Sequence, residues 1–241
     1  NYRKRYVMGY YGYYFDPTYI LVIIGVIICA IASLNVNSTF KRYSKVRSVS
    51  GMTGREVAEK ILQINGIYDV RVEHIAGNLT DHYDPRDKVL RLSDSVYNSQ
   101  SVAAIGVAAH ECGHAVQDQV NYAPLDIRGA MVPAVNFSSK LAWPLILIGL
   151  IFNSSMSYYI IMAGVVLFSL AVLFQIVTLP VEFNASHRAL AILENNSVLE
   201  DSELKGVRKV LGAAALTYVA SALSAILQLL RLLLLANRRS D

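Results

Sequence analysis

Four long apolar segments restrict what this 241-residue chain can become. A helix needs about 20 apolar residues to cross roughly 30 Å of hydrocarbon, where backbone amides find partners only within their own helix. Residues 18–34 and 158–181 contain no charged side chain, and residues 210–236 carry only Arg231, near the end, where a long side chain reaches the interface. Residues 131–152 contain Lys140 and two prolines, Pro133 and Pro144, so a kink is expected there. Hydrophobic residues make up 54% of the chain and charged ones 17%, against roughly 25% charged in an ordinary soluble domain. The fold class expected is mainly α: a polytopic membrane protein of four transmembrane helices, with a small α+β part between them.

The charge pattern assigns sides. Residues 35–130 hold 11 Lys+Arg and residues 182–209 hold four, whereas the segment before the first span has three and the 153–157 connection none. Positive loops stay inside, so both polar pieces are expected in the cytoplasm and the termini outside. Residues 1–17 then form a tyrosine-rich extracytoplasmic segment suited to the headgroup belt: seven of the 15 tyrosines lie in the first 19 residues. No cleaved signal peptide is expected, because the first apolar run lacks a small-residue cleavage site. The net charge of +4 points to an anionic lipid surface rather than to nucleic acid. Cys29 falls in an apolar run and Cys112 in a histidine motif, which is no disulfide framework.

Within residues 35–130 a short course of elements is legible. Thr53 followed by Glu56 predicts a capping box, Val57, Ile61 and Ile64 an apolar helix face, and Asn65-Gly66 its end. Residues 67–73 are a candidate strand. Residues 79–84 and 88–92 flank a Pro85-Arg86-Asp87 turn and read as a hairpin. Residues 101–119 read as a helix buried almost all round, in which Gly106 and Gly113 permit close approach by another helix or a substrate strand.

That helix contains His110-Glu111-Cys112-Gly113-His114. Histidines four apart lie one turn above each other on one face, which lets both imidazoles reach one Zn²⁺ ion. Glu111, about 100° around the helix, can reach the water that such an ion activates without ligating the ion. The competing reading makes His110 and His114 core residues bonded to helix carbonyls, but an apolar helix tolerates two imidazoles and a carboxylate poorly unless something pairs them. Cys112 is offset from the ligand face and reads as packing. A hydrolytic zinc site takes three protein ligands. Glu182, directly after an uncharged span where a lone carboxylate is costly, is the candidate third; His187, five residues on, competes with it. Asn184 or Ser186 can hydrogen-bond a ligating imidazole.

The segments LTDHYDP (79–85), AAHECGHAVQD (108–118), IVTLPVEFNAS (176–186) and ALTYVA (215–220) carry a resemblance over nearly the whole chain. It resembles the YugP-like family of bacterial membrane zinc metallopeptidases and, more distantly, the heat-shock and prenyl-protein membrane endoproteases. The resemblance implies a gluzincin: a zincin-like cytoplasmic catalytic part, one zinc per chain on His110, His114 and Glu182, and Glu111 as acid/base. The larger relatives carry an aspartate where this chain has Ser186. The resemblance further implies that an extended substrate lies along the 79–84 strand, with His82 and Tyr83 donating to the oxyanion. The alternatives there are a surface turn braced by Asp81 and Asp84, or Arg188 as the oxyanion partner. The expected function is peptide-bond hydrolysis at the bacterial cytoplasmic membrane. The competing functions are a zinc-dependent ester or lipid hydrolase and a non-catalytic metal-binding scaffold; an intact Glu111 favours an enzyme, since a structural site needs no general base. Expected partners are a protein or peptide substrate, membrane-associated or not, the lipid bilayer, and a second copy or a membrane protein adaptor.

Overall fold

The computed structural model describes residues 16–152 and 156–237; the expected tyrosine-rich segment falls almost wholly outside them, as does most of the 153–157 connection. In chain order the elements are α1 (Tyr19–Tyr43), α2 (Gly54–Ile64), β1 (Arg71–Ile75), β2 (His82–Asp84), β3 (Val89–Ser93), α3 (Val102–Gln119), α4 (Ala123–Ile151), α5 (Ser157–Asn195) and α6 (Asp201–Asn237). Four of these, α1, α4, α5 and α6, are long and apolar enough to cross a membrane. The protein is thus mainly helical and multi-pass, with a small mixed sheet apart from the long helices. Helix α4 runs through both Pro133 and Pro144, and α5 through Pro180. Each proline removes one amide donor, but in apolar surroundings breaking the rest of the ladder would cost more.

Among the described residues two compact units emerge, one of residues 16–30, 133–152, 156–175 and 220–237, the other of residues 31–132 and 176–219. The first is apolar and has a core of Ile146, Ile161, Val165, Leu232 and Ala236. Its glycines set helix spacing: a Cβ at Gly164 would sit 2.9 Å from the Ala142 carbonyl oxygen.

The second unit carries the chemistry. Its core gathers Val57 and Ile61 from α2, Leu90 and Leu92 from β3, the apolar face of α3, and Leu193, Leu204 and Val207 from α5 and α6. The sheet order is β1-β3-β2, with β1 parallel and β2 antiparallel to β3, so β2 is an edge strand. Tyr83 pairs with Leu90. The capping box of α2 is present, Glu56 and Thr53 bonding each other's backbone amides. Residues 67–70 are not strand: the turn that ends α2 takes up the first of them. Gly66 turns with φ +70°, and the buried Ile67 donates its amide to Leu62 at 2.9 Å, closing the last turn. The strand therefore starts at Arg71.

Helix α3 begins at Ser101, whose hydroxyl accepts from the amide of Ala104 at 3.2 Å, and it is buried along nearly its whole length. Its small residues allow this. A Cβ at Gly113 would lie 2.5 Å from the Ala185 carbonyl oxygen of α5, and one at Gly106 would lie 3.0 Å from Val207 of α6. Both glycines thus serve helix contact. The close approach at Gly113 brings α5 against the face of α3 that bears the histidines.

Candidate active site

Helical spacing stacks the rings of His110 and His114, their centroids 4.8 Å apart and nearly perpendicular. From α5, Glu182 reaches both: its Oε2 is 3.2 Å from His110 Nε2 and 3.5 Å from His114 Nε2. One ligand atom from each of the three residues lies within 4.8 Å of the others, so the site holds a His-His-Glu cluster able to coordinate a metal ion. The donor chemistry fits a divalent metal, because two imidazole nitrogens and a carboxylate oxygen converge from largely buried side chains. Each Nδ1 is engaged elsewhere, His110 with Ser186 Oγ at 3.1 Å and His114 with Gln117 Oε1 at 2.9 Å, which leaves both Nε2 atoms for the cluster. The other oxygen of Glu182 accepts from Arg128 Nη1 at 2.9 Å. His187 is exposed and stands outside the cluster.

Glu111 lies beside the cluster, 8% exposed, and accepts a hydrogen bond from the Tyr83 amide at 3.1 Å. Burial pushes its carboxyl up to about 7, with His110 opposing and the Glu182 and Asp81 charges adding to the rise. A carboxyl poised near neutrality can both take and return a proton. Cys112, on the opposite side of α3, is buried against the Ala58 carbonyl at 3.6 Å and packs the core.

A cavity of about 470 Å³ opens over these groups, lined by His82, Tyr83, Glu111, His114, Glu182 and Tyr218 among others. His82 and Tyr83 therefore share the cavity with the cluster, but both side chains are held by neighbours. His82 Nδ1 meets the Thr80 carbonyl at 2.9 Å, and the Tyr83 hydroxyl donates to Asp118 at 2.7 Å. Burial and that carboxylate keep the Tyr83 phenol well above its ordinary range. The bracing role of the turn aspartates is also present: Asp81 accepts from Ser93 and Asp84 from Arg86. Arg188 points to Asn184 Oδ1 at 2.7 Å rather than lining the cavity.

Three residues at the site escape sequence reasoning. Arg128 and Gln117 are polar residues that no local spacing links to Glu182. Tyr218 lies within the ALTYVA segment, yet nothing local marks its phenol, which lines the cavity with Glu111 and Glu182.

A multi-pass helical membrane protein with a His-His-Glu cluster and an adjacent buried carboxylate falls in the class of membrane zinc metallopeptidases. The family model described as "Putative neutral zinc metallopeptidase" matches residues 18–237, and the chain belongs to that family. It is also 50% identical over 204 residues to the "Putative membrane protease YugP" of Bacillus subtilis (strain 168), covering 85% of this chain and 89% of that protein. No solved structure matches the chain. The family and the clustered site make this protein a membrane zinc metalloendopeptidase, and its substrate a peptide or protein.

Proposed function

We propose that one zinc ion per chain is held by His110, His114 and Glu182, and that the site cleaves extended segments of protein at the cytoplasmic face of a bacterial membrane. The observation that carries this reading is the convergence of both Nε2 atoms on the Glu182 carboxylate. When bound, zinc lowers the pKa of water and polarises a carbonyl oxygen. Glu111 takes the proton released as water attacks the scissile carbon, and returns it to the departing amine. Arg128, by holding one Glu182 oxygen, leaves the other directed at the histidines. Extended substrate lies along β2, the edge strand whose His82 and Tyr83 line the cavity. His82 and Tyr83 face it from the strand side. Tyr218 lines the same cavity as Glu111 and Glu182 and serves as an oxyanion donor.

Length supports an interfacial site. From Ser157 to Glu182, α5 rises about 38 Å, more than the roughly 30 Å of hydrocarbon, so a helix entering at its N-terminus brings Glu182 out at the far surface. The Lys/Arg excess of residues 35–130 and 182–209 assigns that surface to the cytoplasm. Elemental analysis of purified protein tests the metal: about one zinc per chain is expected, and His114→Ala should lose it. Unchanged zinc in that variant would sink the ligand set.

A further inference from the structure

We infer that Gln117 is a positioning residue that fixes which nitrogen of His114 carries the proton, and that its own orientation is dictated by Val181, Asn184 and Arg188. This rests on the reading of His114 as a metal ligand.

Gln117 is fully buried. Its Nε2 is 2.8 Å from the Val181 carbonyl and 3.0 Å from Asn184 Oδ1, and its Oε1 is 2.9 Å from His114 Nδ1. An amide can be turned end for end, so its direction must come from neighbours whose roles are unambiguous. Two such neighbours exist. The Val181 carbonyl can only accept. The Arg188 guanidinium can only donate, and its Nε lies 2.7 Å from Asn184, so Asn184 turns its oxygen there. Two acceptor oxygens therefore face one end of the Gln117 amide, and that end must be the NH₂. The carbonyl end is left for His114 Nδ1, which has to supply the proton. In the neutral ring the lone pair then sits on Nε2, on the side of Glu182.

His110 has no such device. Its Nδ1 meets Ser186 Oγ at 3.1 Å, and a hydroxyl donates or accepts equally well. The two histidines differ accordingly: His114 is set before any ligand arrives, and His110 adapts. Gln117 also ties α3 to α5 on both sides of Glu182, at Val181 and Asn184. A change here acts on the ligand nitrogen and on the placement of the third ligand together.

The test uses the full chain in detergent with labelled imidazole nitrogens, in mildly alkaline, metal-free buffer. NMR should show His114, assigned by its loss in His114→Asn, protonated on Nδ1. In Gln117→Met the ring should populate both forms, and zinc affinity, measured against a chromophoric chelator, should fall by about 10 to 100-fold. Ser186→Ala should leave the His114 tautomer untouched. A wild-type His114 protonated on Nε2 would overturn the inference without requiring any variant to fold; so would a folded Gln117→Met that keeps both tautomer and affinity. A wild-type chain with Nδ1-protonated His114 that binds no zinc would instead refute the ligand reading and leave the tautomer assignment standing.

Discussion

Glu111 and Tyr218 separate what is local from what is assembled. Glu111 is placed by helix geometry alone, one residue after one histidine and three before the other. Glu111→Gln keeps shape but loses the proton acceptor, so turnover of an unfolded protein substrate should drop by about 10² to 10⁴-fold with metal content unchanged. Loss of metal in that variant would place Glu111 among the ligands instead. Tyr218 reaches the site from α6, more than 100 positions along the chain. Tyr218→Phe removes one donor and should lower turnover by about 10² to 10³-fold at normal metal content. The Tyr83 hydroxyl is already committed to Asp118. If Tyr83→Phe loses more activity than Tyr218→Phe, the oxyanion donor lies on the strand side. The histidine pair was legible because its four-residue spacing is itself the geometry. Arg128, Gln117 and Tyr218 were not, since no local spacing links them to Glu182.

Helices α3 and α5 meet where Gly113 has no side chain. The Ala185 carbonyl is backbone and cannot swing aside, so Gly113→Ala must push α5 away, and Glu182 one turn earlier moves with it. Overpacking of this kind costs about 1 to 3 kcal/mol. The variant should show lower thermal stability and weaker zinc retention, read by melting in detergent and by chelator competition. Gly212→Ala is the control: nothing lies within 4 Å of its added methyl, and it should be neutral or stabilise by up to about 1 kcal/mol through helix propensity. If both alanines behave alike, the contact at Gly113 is not tight. The glycines of α3 stood out in the sequence as residues costly to a helix, although their partners did not. The start of β1 was misplaced for a related reason: Ile67 suits a strand by type, but the helix-ending turn at Gly66 claims its amide.

Residues 31–132 and 176–219 form one compact unit, and the proposed topology puts both polar pieces on the same, cytoplasmic side of the bilayer. Lys45→Cys and Asn196→Cys, each in a chain whose own cysteines are replaced, should resist an impermeant thiol reagent in intact cells and label after permeabilisation. Labelling of both in intact cells would reverse the orientation. Labelling of one alone would contradict their shared core.

Membrane class, four apolar spans, the capping box of α2 and the histidine motif were all readable along the chain, because each depends on composition or on contacts within about two helical turns. Glu182 was readable only as a carboxylate in a costly place. That it meets His110 and His114, that Gln117 orients one of them, and that Tyr218 and Arg128 complete the cavity depended on helix packing. Those contacts between helices join residues 36 or more positions apart, and no local periodicity encodes which faces of two apolar helices will meet; the small residues that let backbones touch decide it.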